Sequence, residues 1–473
     1  FQDDWKLKSN FTLSLGVRWE PFLPFYSADD ELTVFRPGQQ SQVFPNGPAG
    51  LLYVGDDGVF RGGAPTDWNN VAPRVSFAWS PGGSQKTSIR AAYGLFYDAP
   101  RFHTLSQFVQ SQPCSMQQQI QGPQSFSNPY GGIPNPFPYQ QPLTDQERAD
   151  YQFLLPALIG LSVDQDLVMP YNQQWNFNIQ REVGRDFVMT AAYVGSKATS
   201  LPQNRELNRA IFAPGATLQN INARRLFAPN FQSIISYEPG AFSNYNALQL
   251  SMNKRFSGGY TVLAHYTWSK SIDLASSDDA PLQDPLNSHA DRALADMDIR
   301  HRFVTSFLWE LPSPFQSGVG KWVLGGWQTN GIFTAQSGTP FTVVTGQDIA
   351  RAGTGRQRPN VLGDPVLPSG RSRDEQFAAF FNVAAFANPA VGSYGNAGRN
   401  ALVGPGLWNL DFALFKKFAI SERTELQYRW EMFNAFNHAN LVNPRANINA
   451  ARPGQIDGTS LPRIMQMGLR LVF

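Results

Sequence analysis

Catalysis and metal binding need reactive side chains at workable spacings, and this sequence offers few. The densest acidic run is Asp273, Asp278, Asp279, Asp284, Asp291, Asp296 and Asp298. Carboxylates collected on one loop are hard oxygen ligands suited to calcium, and Asp278, Asp279, Asp296 and Asp298 form the best cation candidate. Their spacing matches no EF-hand, and capping, loop hydrogen bonding or solvation is the commoner use of such a run, so no metal is assigned. His103, His265, His289, His301 and His438 are dispersed, with no pair one helical turn apart to suggest zinc. Gly353-Thr354-Gly355-Arg356 is glycine-rich but fits no phosphate-binding pattern, and GxGxxG, HExxH and CxxC are absent. The single cysteine, Cys114, rules out a disulfide within the chain. No nucleophile, base and orienting group can be assembled, so neither an enzyme nor a cofactor is expected. The stretch 99–171, rich in Gln, Pro, Phe and Tyr, offers rings and amides to a glycan or peptide.

The remaining chemistry-bearing side chains recur at every second position, which points to the elements that must hold them. Met465, Met467, Leu469, Leu471 and Phe473 alternate with Gln466, Gly468 and Arg470; Phe11, Leu13, Leu15, Val17 and Trp19 alternate with Thr12, Ser14, Gly16 and Arg18. Leu426, Tyr428, Trp430 and Met432 alternate with Glu425, Gln427, Arg429 and Glu431. Period two over such lengths is a strand signal, and about thirteen strands can be counted. They start near Phe1, Phe11, Pro73, Ser88, Asn172, Phe187, Asn246, Tyr260, Arg302, Trp327, Trp408, Thr424 and Arg463. Several have the roughly 9–11 residues that a tilted strand needs to cross a bilayer. Helical periodicity is confined to weak candidates at 145–159 and 374–381.

Connection lengths alternate as well. Short turns hold Lys8-Ser9-Asn10, Pro81-Gly82-Gly83, Gly184-Arg185, Ser257-Gly258-Gly259 and Ile420-Ser421-Glu422, with a longer Gly/Pro turn between Pro312 and Gly326. The opposite connections are long: 21–71, 99–171, 196–244, 272–301, 344–407 and 440–462. The expected fold class is therefore all-β, an antiparallel up-and-down transmembrane β-barrel with short periplasmic turns and long extracellular loops. No run of about 18 apolar residues exists for a helical span. The aromatic content is high (36 Phe, 15 Tyr and 11 Trp). Trp19, Trp79, Tyr97, Trp175, Tyr193, Trp268, Trp309, Trp327, Trp408 and Phe473 fall near strand ends, where two membrane-interface girdles would lie.

The polar face then lines a lumen, with Arg18, Glu20, Arg90, Gln249, Asn253, Arg255, Asp411, Gln427, Arg429, Glu431 and Arg470 as the candidate lining. Lys254 and Lys416 fall on the lipid face near turn ends, with stems long enough to snorkel to headgroups. A net charge of +2 gives no reason to expect nucleic acid as a partner. An odd strand count cannot close a single-chain bacterial barrel, and the chain starts in mid-strand without Met, so a piece of a larger barrel is expected.

Several segments resemble the C-terminal part of TonB-dependent outer-membrane receptors, specifically the Oar-like branch. They include QDDWKLKSNFTLSLGVRWE, NNVAPRVSFAWSP, TSIRAAYGLFYD, YNQQWNFNIQREV, NYNALQLSMNKRFSGG, YTWSKSID, DIRHRF, GGWQTNGIF, RPNVLGD, GNAGRNALVGPG and EMFNAFNHANL, in the family's order along nearly the whole chain. The resemblance implies a 22-stranded barrel filled by an N-terminal plug and energised by the TonB complex through a region upstream of this chain. Outer-membrane lipid and the barrel assembly machinery follow as partners, with Phe473 as the terminal assembly signal. The expected function is an outer-membrane transporter or receptor for an unidentified ligand; a surface anchor or adhesin and a passive porin are the alternatives.

Overall fold

The computed structural model describes residues 1–473 except 83–85, 100–105, 116–124, 129, 131–143, 278 and 422. Asp278, His103, Gly83, Glu422 and much of the stretch 99–171 therefore lie outside the described residues. One antiparallel path joins thirteen strands in sequence order. They are β1 (Gln2–Lys8), β2 (Phe11–Trp19), β3 (Val71–Trp79), β4 (Thr87–Tyr97), β5 (Tyr171–Val183), β6 (Phe187–Glu206) and β7 (Phe231–Ser257). Then come β8 (Tyr260–Asp273), β9 (His301–Glu310), β10 (Trp327–Gln336), β11 (Leu407–Ala419), β12 (Glu425–Phe433) and β13 (Ile464–Val472). The meander and the segregation of short from long connections are as read from the sequence. The sheet is open: β1 and β13 each have one neighbour along the path.

Alternation fixes the register, because a slip of one residue would turn every apolar side chain onto the polar face. Tight turns do the rest. Between β7 and β8, Gly258 and Gly259 adopt φ of 62° and 84°, the left-handed pair that a two-residue hairpin requires and that glycine adopts without strain.

Two strands are longer than expected. β6 has 20 residues and β7 has 27, and at about 3.3 Å per residue β7 reaches roughly 90 Å, far beyond a hydrocarbon core. Much of the connection expected at 196–244 is thus strand. The pairing of β7 with β6 is irregular between Glu238 and Ser243, where Pro239 and Gly240 interrupt the alternation. The helical candidates hold in part, as Asp145–Asp150 and Arg373–Ala378, while Ala157–Val163 is strand. A helix at Gly318–Leu324 occupies what reads as a Gly/Pro turn.

The apolar core lies in the long connections. A single-layer wall has no interior, so the membrane-length part of the sheet buries few apolar side chains, among them Ala72, Ala247 and Ala413, whereas the outer part of β7 buries Phe231, Ile234 and Tyr237 against the long connections. One cluster joins Leu32, Val34 and Ala64 to Phe108, Leu161, Val163 and Leu167, and to Tyr237 at the far end of β7. A second packs Phe35, Phe44, Leu51 and Tyr53 against Ala157, Ile159, Phe231 and Ile234. A third holds Phe341, Val343, Phe381 and Leu402. The strand Ala157–Val163 runs parallel to the outer part of β7 and stitches the first two clusters to the sheet.

Candidate functional site

Register places the candidate lining on one face of the sheet. A cross-strand row runs Arg90, Asn178, Ala192, Gln249, Thr267, Arg302 and Gln336. Asp411 faces Ile332, Glu431 lies between Ala413 and Gln466, Arg429 between Phe415 and Gly468, and Gln427 between Lys417 and Arg470. Asn253, opposite Leu263 and Val188, shares this face, as does Arg18 by its pairing with Ala72. Glu20 lies just beyond β2 and forms an ion pair with Arg18 at 2.8 Å. Near the short-turn end, Arg90 and Arg255 meet Lys86, Gln180 and Glu182 around a cavity of about 540 Å³. Its cations outnumber its carboxylates, so it favours anions.

The candidate girdle residues occupy the other face. Trp79 is level with Phe11, Trp309 with Tyr260 and Trp327 with Lys416 at the short-turn end. At the opposite end Trp19 pairs with Val71, Tyr97 with Tyr171, Trp268 with His301 and Trp408 with Ala335. Trp175 faces Gly195, and Tyr193 faces Leu248. Phe473 follows β13 and is 92% exposed.

Lys254 and Lys416 depart from expectation. Both are buried. The Lys254 ammonium donates to the Ser257 carbonyl at 2.8 Å and to Ser257 Oγ at 2.9 Å, and stands 3.8 Å from the Tyr260 ring centroid. Lys416 donates to the Gly325 carbonyl and lies 4.8 Å from the Phe418 ring centroid. Turn carbonyls and aromatic rings hold these charges, in place of headgroups.

The acidic run is organised by arginines from a distant loop. Asp291 pairs with Arg358, both almost fully buried, and Arg358 also donates to the carbonyls of Ala397 at 2.7 Å and Ala290 at 3.2 Å. Arg399 pairs with Asp273 and, at 3.3 Å, with Asp296, while its Nε donates to the Asp291 carbonyl at 2.8 Å. Asp296 also accepts from Asn400 at 2.6 Å. Asp298 pairs with Arg300 at 3.6 Å and accepts from the backbone N–H of Ser271 at 2.5 Å; Asp279 accepts from Ser277. Among the described residues no group of three potential metal-ligating side chains converges. These ion pairs border a recess of about 500 Å³ whose wall includes Arg356, Phe341 and Asn443.

Arg358 and Arg399 went unremarked in the sequence; the signal available was a loop rich in arginine (351, 356, 358, 371, 373 and 399) across from one rich in aspartate. Asp56 was missed too. Its carboxylate accepts from Ser41 Oγ at 2.7 Å and from the N–H groups of Gln42, Val43 and Tyr53 at 2.6, 3.1 and 2.8 Å. Burial, with a smaller push from Glu31, raises the Cys114 thiol to about 12.

Solved structures that resemble this chain are distant. The outer membrane transporter YddB from Escherichia coli is 11% identical with a TM-score of 0.48, over 98% of this chain and 43% of that one. The ferripyoverdine receptor of the Pseudomonas aeruginosa outer membrane is 10% identical with a TM-score of 0.44, over 100% and 38%. The FrpB iron transporter from Neisseria meningitidis is 11% identical with a TM-score of 0.44, over 98% and 43%. The chain thus spans less than half the length of each. No curated protein matches the sequence. The family model for an outer membrane beta barrel domain matches residues 1–466, nearly the whole chain, and the protein belongs to that family.

Proposed function

We propose that this chain is the C-terminal share of a larger, plugged outer-membrane barrel of the TonB-dependent, Oar-like branch, which moves an unidentified ligand across the membrane. The observation that carries this reading is the open sheet. Among the described residues thirteen strands end in two unpaired edges, whereas a barrel spans lipid only by closing, since an unpaired strand edge leaves its N–H and C=O groups without partners in hydrocarbon. Further strands of the same protein would satisfy them. The polar face would line the lumen, the aromatic rows would lie at the two interfaces, and the long connections would face outward. There the recess beside Arg356 and Asp296 is placed to meet ligand. The TonB complex would engage a region upstream, and the assembly machinery would read Phe473.

The three packed clusters in the long connections favour a second reading, a surface anchor that binds without transport, because folded loops present a stable binding surface. The test uses the full-length protein. A purified periplasmic TonB domain should bind it, and binding should vanish when the region upstream of this chain is deleted. Absence of binding would sink the transport reading and leave the anchor. In planar bilayers the full-length protein should stay closed until the plug is unfolded with urea; a large, steady conductance without urea would instead identify a passive porin.

A further inference from the structure

The connection between β9 and β10 is the longest on the short-turn side, and it carries the helix Gly318–Leu324. Phe315, Val319, Trp322, Val323 and Leu324 are all between 45% and 78% exposed. So many large apolar side chains on one short, solvent-facing segment are unusual, since exposed apolar groups on soluble surfaces occur mostly singly.

What the segment touches shows which way it folds. The Trp322 ring packs 5.0 Å from Phe418, the Trp327 indole N–H donates to the Val323 carbonyl at 3.0 Å, and Lys416 donates to the Gly325 carbonyl. Trp327 pairs with Lys416, and Phe418 follows two residues on, so all three anchors stand on the apolar face of the wall. In an outer-membrane barrel that face meets lipid. The segment is therefore folded outward against the lipid-facing side and continues the rim formed by the exposed Trp309 and Ile420.

We propose that residues 315–324 are an interfacial anchor, lying in the boundary between headgroups and acyl chains of the phospholipid leaflet on the short-turn side. Its aromatic and aliphatic side chains take acyl chains, while Lys321, exposed on the same helix, faces lipid phosphates. Lys416 holds the C-terminal end of the helix against the wall and so fixes its depth.

The test places a fluorophore in the segment. In the full-length protein with Cys114→Ser, a Val319→Cys variant is labelled with an environment-sensitive dye and reconstituted in phosphatidylethanolamine/phosphatidylglycerol vesicles. Emission should shift to the blue and be quenched by lipids bearing a nitroxide near the headgroup, with little quenching by aqueous iodide. A label at Val366→Cys, on an exposed site among the long loops, should show the reverse. Iodide access at position 319 equal to that at 366 would overturn the proposal. So would shielding that appears only at high protein density or on adding periplasmic extract, which would mark a second copy or a soluble partner. A Trp322→Glu variant that keeps the heat-modifiable gel shift of a folded barrel should raise iodide access at 319 several-fold, and no change would also refute the anchor.

Discussion

Removing the Arg358 side chain offers a sharp test of how the outer loops are held. Arg358 and Asp291 form an ion pair with both side chains 4% exposed. Arg358→Met leaves the Asp291 carboxylate buried without its cation and strips donors from the carbonyls of Ala290 and Ala397. Breaking a buried pair from one side costs about 3–5 kcal/mol, which raises the opening equilibrium of the loops by about a hundredfold to several thousandfold. The cost should fall on the loops 272–301 and 344–407, since the wall has its own ladder of hydrogen bonds. Hydrogen exchange followed by mass spectrometry on the full-length protein should show protection lost in those segments and kept in β8 to β12. The double variant Asp291→Leu/Arg358→Met removes both charges and should recover most of that protection. Unchanged exchange in the single variant, or no recovery in the double, would refute the claim that this pair holds the loops together.

Three further outcomes follow from other parts of the molecule. Gly195 faces Trp175 across β5 and β6, and a Cβ there would run into the indole; Gly195→Ala should cost about 1–3 kcal/mol as overpacking, read as a lower urea midpoint, and an unchanged midpoint would count against it. Burial disfavours the charged thiolate, and with its pKa near 12 against an ordinary 9.0, Cys114 should react with alkylating reagents at pH 8 about a thousandfold more slowly than a free thiol, since each pKa unit is tenfold in thiolate. Its rate should go on climbing well above pH 8, and rapid stoichiometric labelling at pH 8 would contradict the burial. Deleting Phe473 from the full-length protein should reduce the heat-modifiable, membrane-inserted fraction; normal insertion would dismiss its role as an assembly signal.

Local alternation carried the strand number, the order of the strands and the two faces of the sheet. Strand periodicity depends on successive residues alone, so it was legible in β2, β12 and β13 without knowledge of any partner. It failed where the pattern broke. β7 begins at Phe231, well before the expected start near Asn246, because Pro239 and Gly240 interrupt the alternation and because the outer half is held by a partner, Ala157–Val163, far away in sequence. Arg18, Arg90 and Arg470 were assigned to one face for the same local reason, and register keeps them there. The sequence by itself determined the wall and which side chains share each of its two faces. Only the tertiary structure decided what the loops do: Asp291 meets Arg358 across 67 residues and Asp273 meets Arg399 across 126. Lys416 reaches the Gly325 carbonyl, and the segment 315–324 folds onto the outer wall. Such contacts depend on which distant surfaces meet, and a periodicity of two residues holds no information about that.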